Sequence, residues 1–167
     1  KEAGVPVMLN PAPATDLDAE LLSLVTYLIP NEQEASVETG LPLHSENGVL
    51  VEEDLHAIAR ALWEKGVENV IITLGGQGSA VVGENSIDYI PCVRMPHVAD
   101  PTAAGDSFVG ALAVGLTVGL SRQAALTFAS HTAAITVSRM GAMPSLPTLE
   151  EVKSLLKERG CDAVPLT

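Results

Sequence analysis

The length, composition and charge of the chain exclude several classes of protein. Its 167 residues, of which 47% are hydrophobic at a mean hydropathy of +0.28, are enough for one globular domain with a sizeable core and argue against disorder. Nine basic residues against twenty-one acidic ones give a net charge of -12, which disfavours a nucleic acid or an anionic membrane as a partner.

The first half of the chain alternates predicted strands and helices. Apolar runs bounded by turn residues predict three buried strands, over 5–9, 25–29 and 70–74. Helical spacing of apolar residues and glycine stops predict helices over 16–24, 31–38 and 52–65. A polar loop that contains glycine is expected over 41–51.

The second half of the chain begins with a different pattern. Short strands over 79–82 and 87–90 flank a turn and predict a hairpin, and hence an antiparallel sheet edge. After an irregular connection, helices are expected over 104–118, 122–138 and 149–158. This order of elements predicts one portion, 1–167, of a three-layer α/β/α fold with a mostly parallel sheet and an antiparallel hairpin at one edge.

Cysteine spacing and the start of the chain bear on location. Cys92 and Cys161 are far apart and outside any His/Cys cluster with metal-ligand spacing, so we expect no disulfide scaffold, no zinc site and a cytoplasmic protein. The apolar run over 108–120 is too short and glycine-rich for a membrane span, and the start lacks a signal-peptide pattern. Residues 1–5 read as a helix end, a glycine cap and a strand start, so we expect the chain to begin inside a fold.

The stretch Asp100-Pro101-Thr102-Ala103-Ala104-Gly105-Asp106-Ser107-Phe108 combines a small-residue loop, a carboxylate and the start of an apolar helix. The N–H groups of Ala104, Gly105 and Asp106 belong to the first turn, where unpaired donors and the helix dipole favour an anion. Asp106 would then accept the proton of a hydroxyl that attacks a phosphate. A carboxylate favoured only by the helix dipole explains the pattern equally well.

The stretch Asn31-Glu32-Gln33-Glu34 follows the second predicted strand, at the sheet edge where open parallel sheets bind ligands. Asn at the N-cap with Glu three residues later is a capping-box pattern, which is the interpretation we favour for the stretch alone. In the alternative interpretation, Asn31 contacts a phosphate and Glu34 holds water on Mg²⁺.

Two further stretches and one histidine are candidates for ligand binding. Thr73-Leu74-Gly75-Gly76-Gln77-Gly78 allows a nucleotide to approach the backbone, although a tight turn looks the same, and it is neither a Walker A loop nor a dinucleotide fingerprint. Arg139 to Ser145 ends a long helix, where carbonyls could hold a cation, but an ordinary helix exit is the simpler interpretation. His131 is the one histidine that we expect to contribute to cofactor binding, because its helix would flank the site.

Five motifs in a fixed order resemble the ribokinase family of carbohydrate kinases. They are Asn10-Pro11-Ala12-Pro13-Ala14, Pro30 to Ala35, Ile72 to Gly75, Asp100 to Gly110 and Gly141 to Ser145. The resemblance covers nearly all of the chain but only the carboxy-terminal half or so of such an enzyme. It implies ATP-dependent phosphorylation of a sugar hydroxyl, and the Asn-Pro-Ala-Pro-Ala stretch favours D-ribose, giving ribose 5-phosphate, over fructose, another sugar or a nucleoside.

The resemblance also implies roles for individual residues. Asp106 would be the base, with the backbone of Ala103, Ala104 and Gly105 as part of the anion hole. Asn31 matches the phosphate position, Glu34 the magnesium position, and the nucleotide loop matches Thr73, Gly75, Gly76 and Gly78. The implied cofactors are ATP, Mg²⁺ and a monovalent cation, usually K⁺, held by main-chain oxygens at Asp100, Thr102, Thr136, Arg139 and Gly141, with Ser145 nearby.

The chain departs from the family pattern in two ways. Ala103 stands where many members have glycine, which adds a methyl group beside the phosphate site but removes no N–H donor. In the family, an amino-terminal segment makes most of the contacts to the sugar and includes a small β lid that often forms the dimer interface. That segment has no counterpart here. We therefore expect the full-length protein to be an active homodimer and this fragment alone to be inactive. The alternatives are a non-catalytic nucleotide-binding fragment and an unrelated α/β binding domain.

Overall fold

The computed structural model describes residues 1–161, which fall into two compact units, Lys1–Tyr89 and a second unit that begins at Ile90. The strands are β1 (Met8–Leu9), β2 (Tyr27–Leu28), β3 (Ser45–Glu46), β4 (Val49–Leu50), β5 (Asn69–Thr73), β6 (Gly78–Val82) and β7 (Ile87–Pro91), the last of which crosses the boundary. The helices of the first unit are α1 (Ala19–Leu22), α2 (Glu32–Thr39) and α3 (Glu52–Glu64). The second unit contains α4 (Ala104–Thr117), α5 (Arg122–Val137) and α6 (Leu149–Glu158).

The main sheet has the strand order β1-β2-β5-β6-β7. Strands β1, β2 and β5 are parallel, with Met8 opposite Tyr27 and Leu28 opposite Val70, whereas β6 runs antiparallel to β5. The predicted α/β fold, with its parallel strands and antiparallel edge, is therefore confirmed. Because parallel strands end at the same edge of a sheet, the residues that follow β1, β2 and β5 gather there.

The apolar face of α3 explains how the first unit packs. Leu55, Ile58 and Leu62 recur at helical spacing and are fully buried in one cluster with Val70 and Ile72 of β5. Just after the helix ends, Gly66 adopts φ +96°, and a Cβ atom there would lie 2.9 Å from the Ser23 Cα atom. Only glycine suits both that backbone conformation and that close approach.

The prediction of a loop over 41–51 is wrong in part, because β3 and β4 form an antiparallel hairpin there. Asn47 and Gly48 connect these strands with φ values of 52° and 80°, the left-handed pair that suits a two-residue hairpin turn. The dipeptide Asn-Gly was the available signal. It did not enter our prediction, since the flanking residues Ser45, Glu46 and Val49 show no apolar alternation; in the structure all three are exposed.

The predicted strands over 5–9 and 25–29 shrink to two residues each, and the helix predicted over 16–24 shrinks to the four residues of α1. Helix α1 begins where the Asp18 carboxylate accepts the N–H of Glu20, so the polar residues before it lie outside the helix. The predictions for α2 to α6 and for β5 to β7 are confirmed to within two residues at each end.

Helices α4 and α5 pack closely in the second unit. A Cβ atom at Gly115 of α4 would lie 2.9 Å from the Cβ atom and 3.1 Å from the Cα atom of Ala125 in α5. The two backbones approach this closely because small residues meet at the contact. Among residues 1–161, no helix has the length and apolar character needed to cross a membrane.

Candidate functional site

The capping box predicted at Asn31 is present at the start of α2. The Asn31 Oδ1 atom accepts the N–H of Glu34, and the Glu34 Oε2 atom accepts the N–H of Asn31, both at 2.8 Å. Asn10, which follows β1, donates its side-chain amide to the same Glu34 oxygen at 3.4 Å and to the Ile29 carbonyl at 2.7 Å. The Glu34 side chain is therefore buried and fixed at the carboxyl edge of the sheet, a position that sequence reasoning did not link to Asn10.

The nucleotide loop predicted at Thr73–Gly78 lies at the same edge of the first unit. Thr73 donates its N–H to the Pro30 carbonyl at 2.9 Å and forms a parallel bridge with Asn31. A turn of 3-10 helix, Gly75–Gln77, follows, and Gly75 and Gly78 have φ values of 50° and 106°. A Cβ atom at Gly75 or Gly76 would meet nothing within 4 Å, so this turn offers an open backbone surface beside the Asn31 capping box.

The first turn of α4 carries Asp106 in the second unit. Ala103, the N-cap residue, adopts φ +62° and supplies no side-chain cap. Our prediction of an unpaired N–H at Ala104 is wrong, since that group donates to the Pro101 carbonyl at 3.2 Å in a turn. Within the described residues, the N–H groups of Gly105 and Asp106 donate to no acceptor, and a Cβ atom at Gly105 would meet nothing within 4 Å.

The Asp106 carboxylate is exposed and, among residues 1–161, forms no hydrogen bond to the N-cap or to any other group. It is therefore not used as a capping-box side chain, in contrast to Glu34 in α2. At the positive end of a helix, the two open N–H donors are suited to bind an anion. The exposed carboxylate beside them is suited to accept a proton from a group that reacts with that anion.

Asp100 joins the segment before α4 to the segment after α5. Its Oδ1 atom accepts the N–H of Thr102 at 2.9 Å and its Oδ2 atom accepts the N–H of Gly141 at 3.0 Å, and these bonds hold the pKa of the carboxyl below its usual range. The N–H groups of Ala99 and Asp100 both donate to the Val137 carbonyl. These contacts bring Asp100, Thr102 and Gly141 together.

The other residues predicted to surround a monovalent cation belong to the same part of the second unit. Arg139 donates its N–H to the Thr136 carbonyl at 3.1 Å, and the buried Ser145 hydroxyl donates to the Ala142 carbonyl at 2.6 Å. The exit from α5 offers main-chain carbonyl oxygens, a kind of donor that hard cations prefer, and the binding of a monovalent cation there stays a prediction.

His131 occupies a buried position in α5. Its side chain is 4% exposed, and Nδ1 donates to the Thr127 carbonyl at 2.7 Å. Burial lowers the pKa of the imidazole and keeps the ring neutral near pH 7. These contacts account for the residue as part of the helix packing, and its predicted nucleotide contact stays a prediction.

A magnesium site made of protein ligands alone is absent from the described part of the chain, where no three His, Cys, Asp or Glu side chains come together in a way that could hold a metal. The Glu34 Oε1 atom accepts no hydrogen bond within that part. Mg²⁺ usually keeps several waters and binds through few carboxylates and substrate phosphates, so a single fixed carboxylate fits this ion.

Comparison with known proteins agrees with the order of the motifs. A family model described as pfkB family carbohydrate kinase matches residues 1–149. The chain belongs to the pfkB family of carbohydrate kinases.

Several of the individual relatives are named ribokinase. A bifunctional ribokinase/ribose-5-phosphate isomerase A of Fructilactobacillus sanfranciscensis is 40% identical over 159 residues, covering 95% of this chain and 28% of the relative. The ribokinase of Haemophilus influenzae is 39% identical over 159 residues, covering 94% and 49% respectively. The structure of Arabidopsis thaliana ribokinase complexed with ribose and ATP matches with a TM-score of 0.85 at 36% identity, over 94% of this chain and 49% of that one. The chain thus spans about half, or less, of the length of these relatives.

Proposed function

We propose that the full-length protein transfers the γ-phosphate of ATP to a sugar hydroxyl, with D-ribose as substrate and ribose 5-phosphate as product. Membership in the pfkB family and similarity to proteins named ribokinase support the sugar and the reaction class. The observation that carries the proposal is the first turn of α4, where Asp106 is exposed beside the open N–H groups of Gly105 and Asp106.

Asp106 acts as the general base in this proposal. Its carboxylate takes the proton of the attacking hydroxyl as the oxygen forms its bond to the γ-phosphorus atom and the bond to the β–γ bridging oxygen of ATP breaks. The N–H groups of Gly105 and Asp106, together with the helix dipole and the backbone at Ala103, stabilise the negative charge on the transferred group.

The first unit would hold the nucleotide. Asn31 would contact a phosphate, and the open turn from Gly75 to Gly78, with Thr73 before it, would lie against the nucleotide. When bound, Mg²⁺ would neutralise phosphate charge, and Glu34 would hold it through water. The fixed Glu34 side chain and the absence of side-chain atoms at Gly75 and Gly76 support these assignments.

The remaining assignments concern the protein as a whole. We propose that K⁺ binds at main-chain oxygens around Asp100, Thr102, Thr136, Arg139 and Gly141, with Ser145 nearby. Residues 1–167 would be the nucleotide-binding and catalytic portion of a cytoplasmic homodimer, and this portion alone would be inactive because the sugar is held mainly elsewhere. The hydrogen bonds that connect Asp100 to Thr102 and to Gly141 support a shared role for this segment.

Substitution of Asp106 in the full-length protein tests the proposal. The change Asp106→Asn should lower turnover of D-ribose by about 10²–10⁴-fold, the usual contribution of a general base, while calorimetry still detects ATP binding. The matched control is Glu53→Gln, which neutralises an exposed carboxylate in the first turn of α3 and should leave turnover unchanged. Near-normal turnover of Asp106→Asn would exclude Asp106 as the base, and wild-type activity on fructose or a nucleoside but not on ribose would refute the sugar assignment.

A further inference from the structure

One ion pair connects the end of α5 to the start of α6. The Arg139 guanidinium donates to Glu151, with 2.5 Å between Nη2 and Oε1 and 3.5 Å between Nη1 and Oε2. Glu151 is also the capping-box residue of α6, and its Oε2 atom accepts the N–H of Thr148 at 2.7 Å and the Thr148 hydroxyl at 3.0 Å. One carboxylate therefore binds two segments of the second unit.

The bonds around Glu151 keep it charged. Hydrogen bonds from Arg139, and then from Thr148, lower the pKa of this carboxyl to about 2. A fork-shaped contact between a guanidinium and a carboxylate fixes the direction of the Arg139 side chain more strictly than a single point contact does.

From Arg139 the chain of contacts continues toward α4. Two residues later, Gly141 adopts φ +84° and donates its N–H to the Asp100 carboxylate, whose other oxygen accepts the N–H of Thr102. Thr102 is followed directly by Ala103 in its left-handed conformation and by the first turn of α4. The Arg139–Glu151 pair is thus linked through Gly141 and Asp100 to the turn that carries Asp106.

The strained backbone at Ala103 explains why this chain of contacts matters for the first turn of α4. A residue with a Cβ atom is strained at φ +62°, and such strain persists only where surrounding contacts determine the backbone. No side chain caps the first turn of α4, so the bonds that the Asp100 carboxylate accepts from the N–H groups of Thr102 and Gly141 help to hold it, together with the bond from the Ala104 N–H to the Pro101 carbonyl.

We propose that Glu151 is a positioning residue for phosphoryl transfer, which through Arg139 holds the 139–141 segment so that Gly141 and Asp100 fix the first turn of α4. The proposal rests on the proposed function for its catalytic consequence. The orientation of the turn itself does not depend on which substrate is phosphorylated.

Glu150 offers a matched control on the same helix. Its side chain is 82% exposed and pairs with Lys153 at i,i+3, with 3.2 Å between the Lys153 Nζ atom and the Glu150 Oε1 atom. The change Glu150→Gln therefore removes a carboxylate of the same size, one residue away, without touching Arg139 or Thr148.

The experiment compares Glu151→Gln, Glu151→Asp and Glu150→Gln in the full-length protein, by steady-state kinetics and by amide hydrogen exchange within residues 100–106, where the N–H groups of Asp100, Thr102 and Ala104 are hydrogen-bonded. Glu151→Gln should lower kcat about tenfold to a hundredfold, because a displacement of about 1 Å at a reacting group can cost about 10²-fold, and it should speed exchange of the hydrogen-bonded amides within 100–106. Glu151→Asp should recover part of both effects, and Glu150→Gln should behave as wild type.

A cycle with Asp100→Asn distinguishes positioning from general destabilisation. If Glu151 acts through Asp100, the effects of the two substitutions on kcat should be less than multiplicative, whereas independent losses multiply. Wild-type exchange at 100–106 in Glu151→Gln, or multiplicative effects on kcat, would overturn the proposal. If the wild-type protein phosphorylates no sugar, the proposed function fails, and the exchange data still decide whether Glu151 holds the turn.

Discussion

The contact between Gly115 and Ala125 yields a quantitative prediction about the helix pair that carries Asp106. In Gly115→Ala, the new Cβ atom would lie 2.9 Å from the Ala125 Cβ atom and 3.1 Å from its Cα atom, and 3.3 Å from the Leu120 Cδ1 atom. Two of these atoms cannot rotate away, so α4 and α5 must separate slightly.

The expected magnitude follows from two opposing terms. Overpacking of a close contact costs about 1–3 kcal/mol, and replacing a helical glycine by alanine returns about 1 kcal/mol of helix propensity. Gly115→Ala should therefore lower the free energy of unfolding by up to about 2 kcal/mol. Ala125→Gly alone should also destabilise, by about 1–2 kcal/mol, because it loses helix propensity and a buried methyl group.

The double variant Gly115→Ala/Ala125→Gly provides the decisive measurement. It removes the 2.9 Å contact, so its destabilisation should fall short of the sum of the two single changes by about 1 kcal/mol or more. Urea unfolding of the four full-length proteins measures this coupling. Additivity within about 0.5 kcal/mol would refute the reasoning, because the two positions would then not be in close contact.

Three further predictions concern the capping box, the acid limb of stability and the cation. Asn31→Ala should destabilise the protein by about 0.5–2 kcal/mol in urea unfolding, because α2 loses its N-cap; an unchanged midpoint would contradict that role. Glu151 has a pKa of about 2 against an ordinary 4.5, so its contribution to stability is complete above pH 4.5 and is lost as the pH falls toward 2. Glu151→Gln should therefore flatten the profile of unfolding free energy against pH between these values, and an unaltered slope would contradict the ion pair. The melting temperature of the full-length protein should be higher in KCl than in NaCl at the same concentration. Gly141→Ala, which places a side chain at φ +84°, should reduce this difference, and equal melting temperatures of the wild type in the two salts would argue against a selective cation site.

Local signals predicted much of the fold. The capping box at Asn31 and the apolar face of α3 were readable from sequence, because both depend on residues three or four positions apart. The parallel strands and the antiparallel edge followed from the order of elements. The β3–β4 hairpin was missed because its Asn47-Gly48 turn lies between exposed residues with no apolar alternation.

The candidate site was predicted residue by residue, but not in its supporting contacts. Sequence reasoning singled out Asp106, Gly105 and Asn31, and their surroundings agree with an open helix start and a capped α2. It did not find that Asn10 contacts Glu34 or that Glu151 binds Arg139. It considered only the methyl group of Ala103, whereas the left-handed backbone at that residue is the larger consequence of having alanine there.

The sequence by itself determined the starts of α2 to α6 to within one residue, the alternation of strands and helices and the identity of the small-residue turns, because these depend on side-chain chemistry within a few positions along the chain. Only the tertiary structure decided which turns are joined. The Asp100 carboxylate accepts the N–H of Gly141, 41 residues later, and this bond requires α4 and α5 to fold back on each other, as they do at the Gly115–Ala125 contact. No local pattern encodes that closure, since it depends on the path of both helices at once.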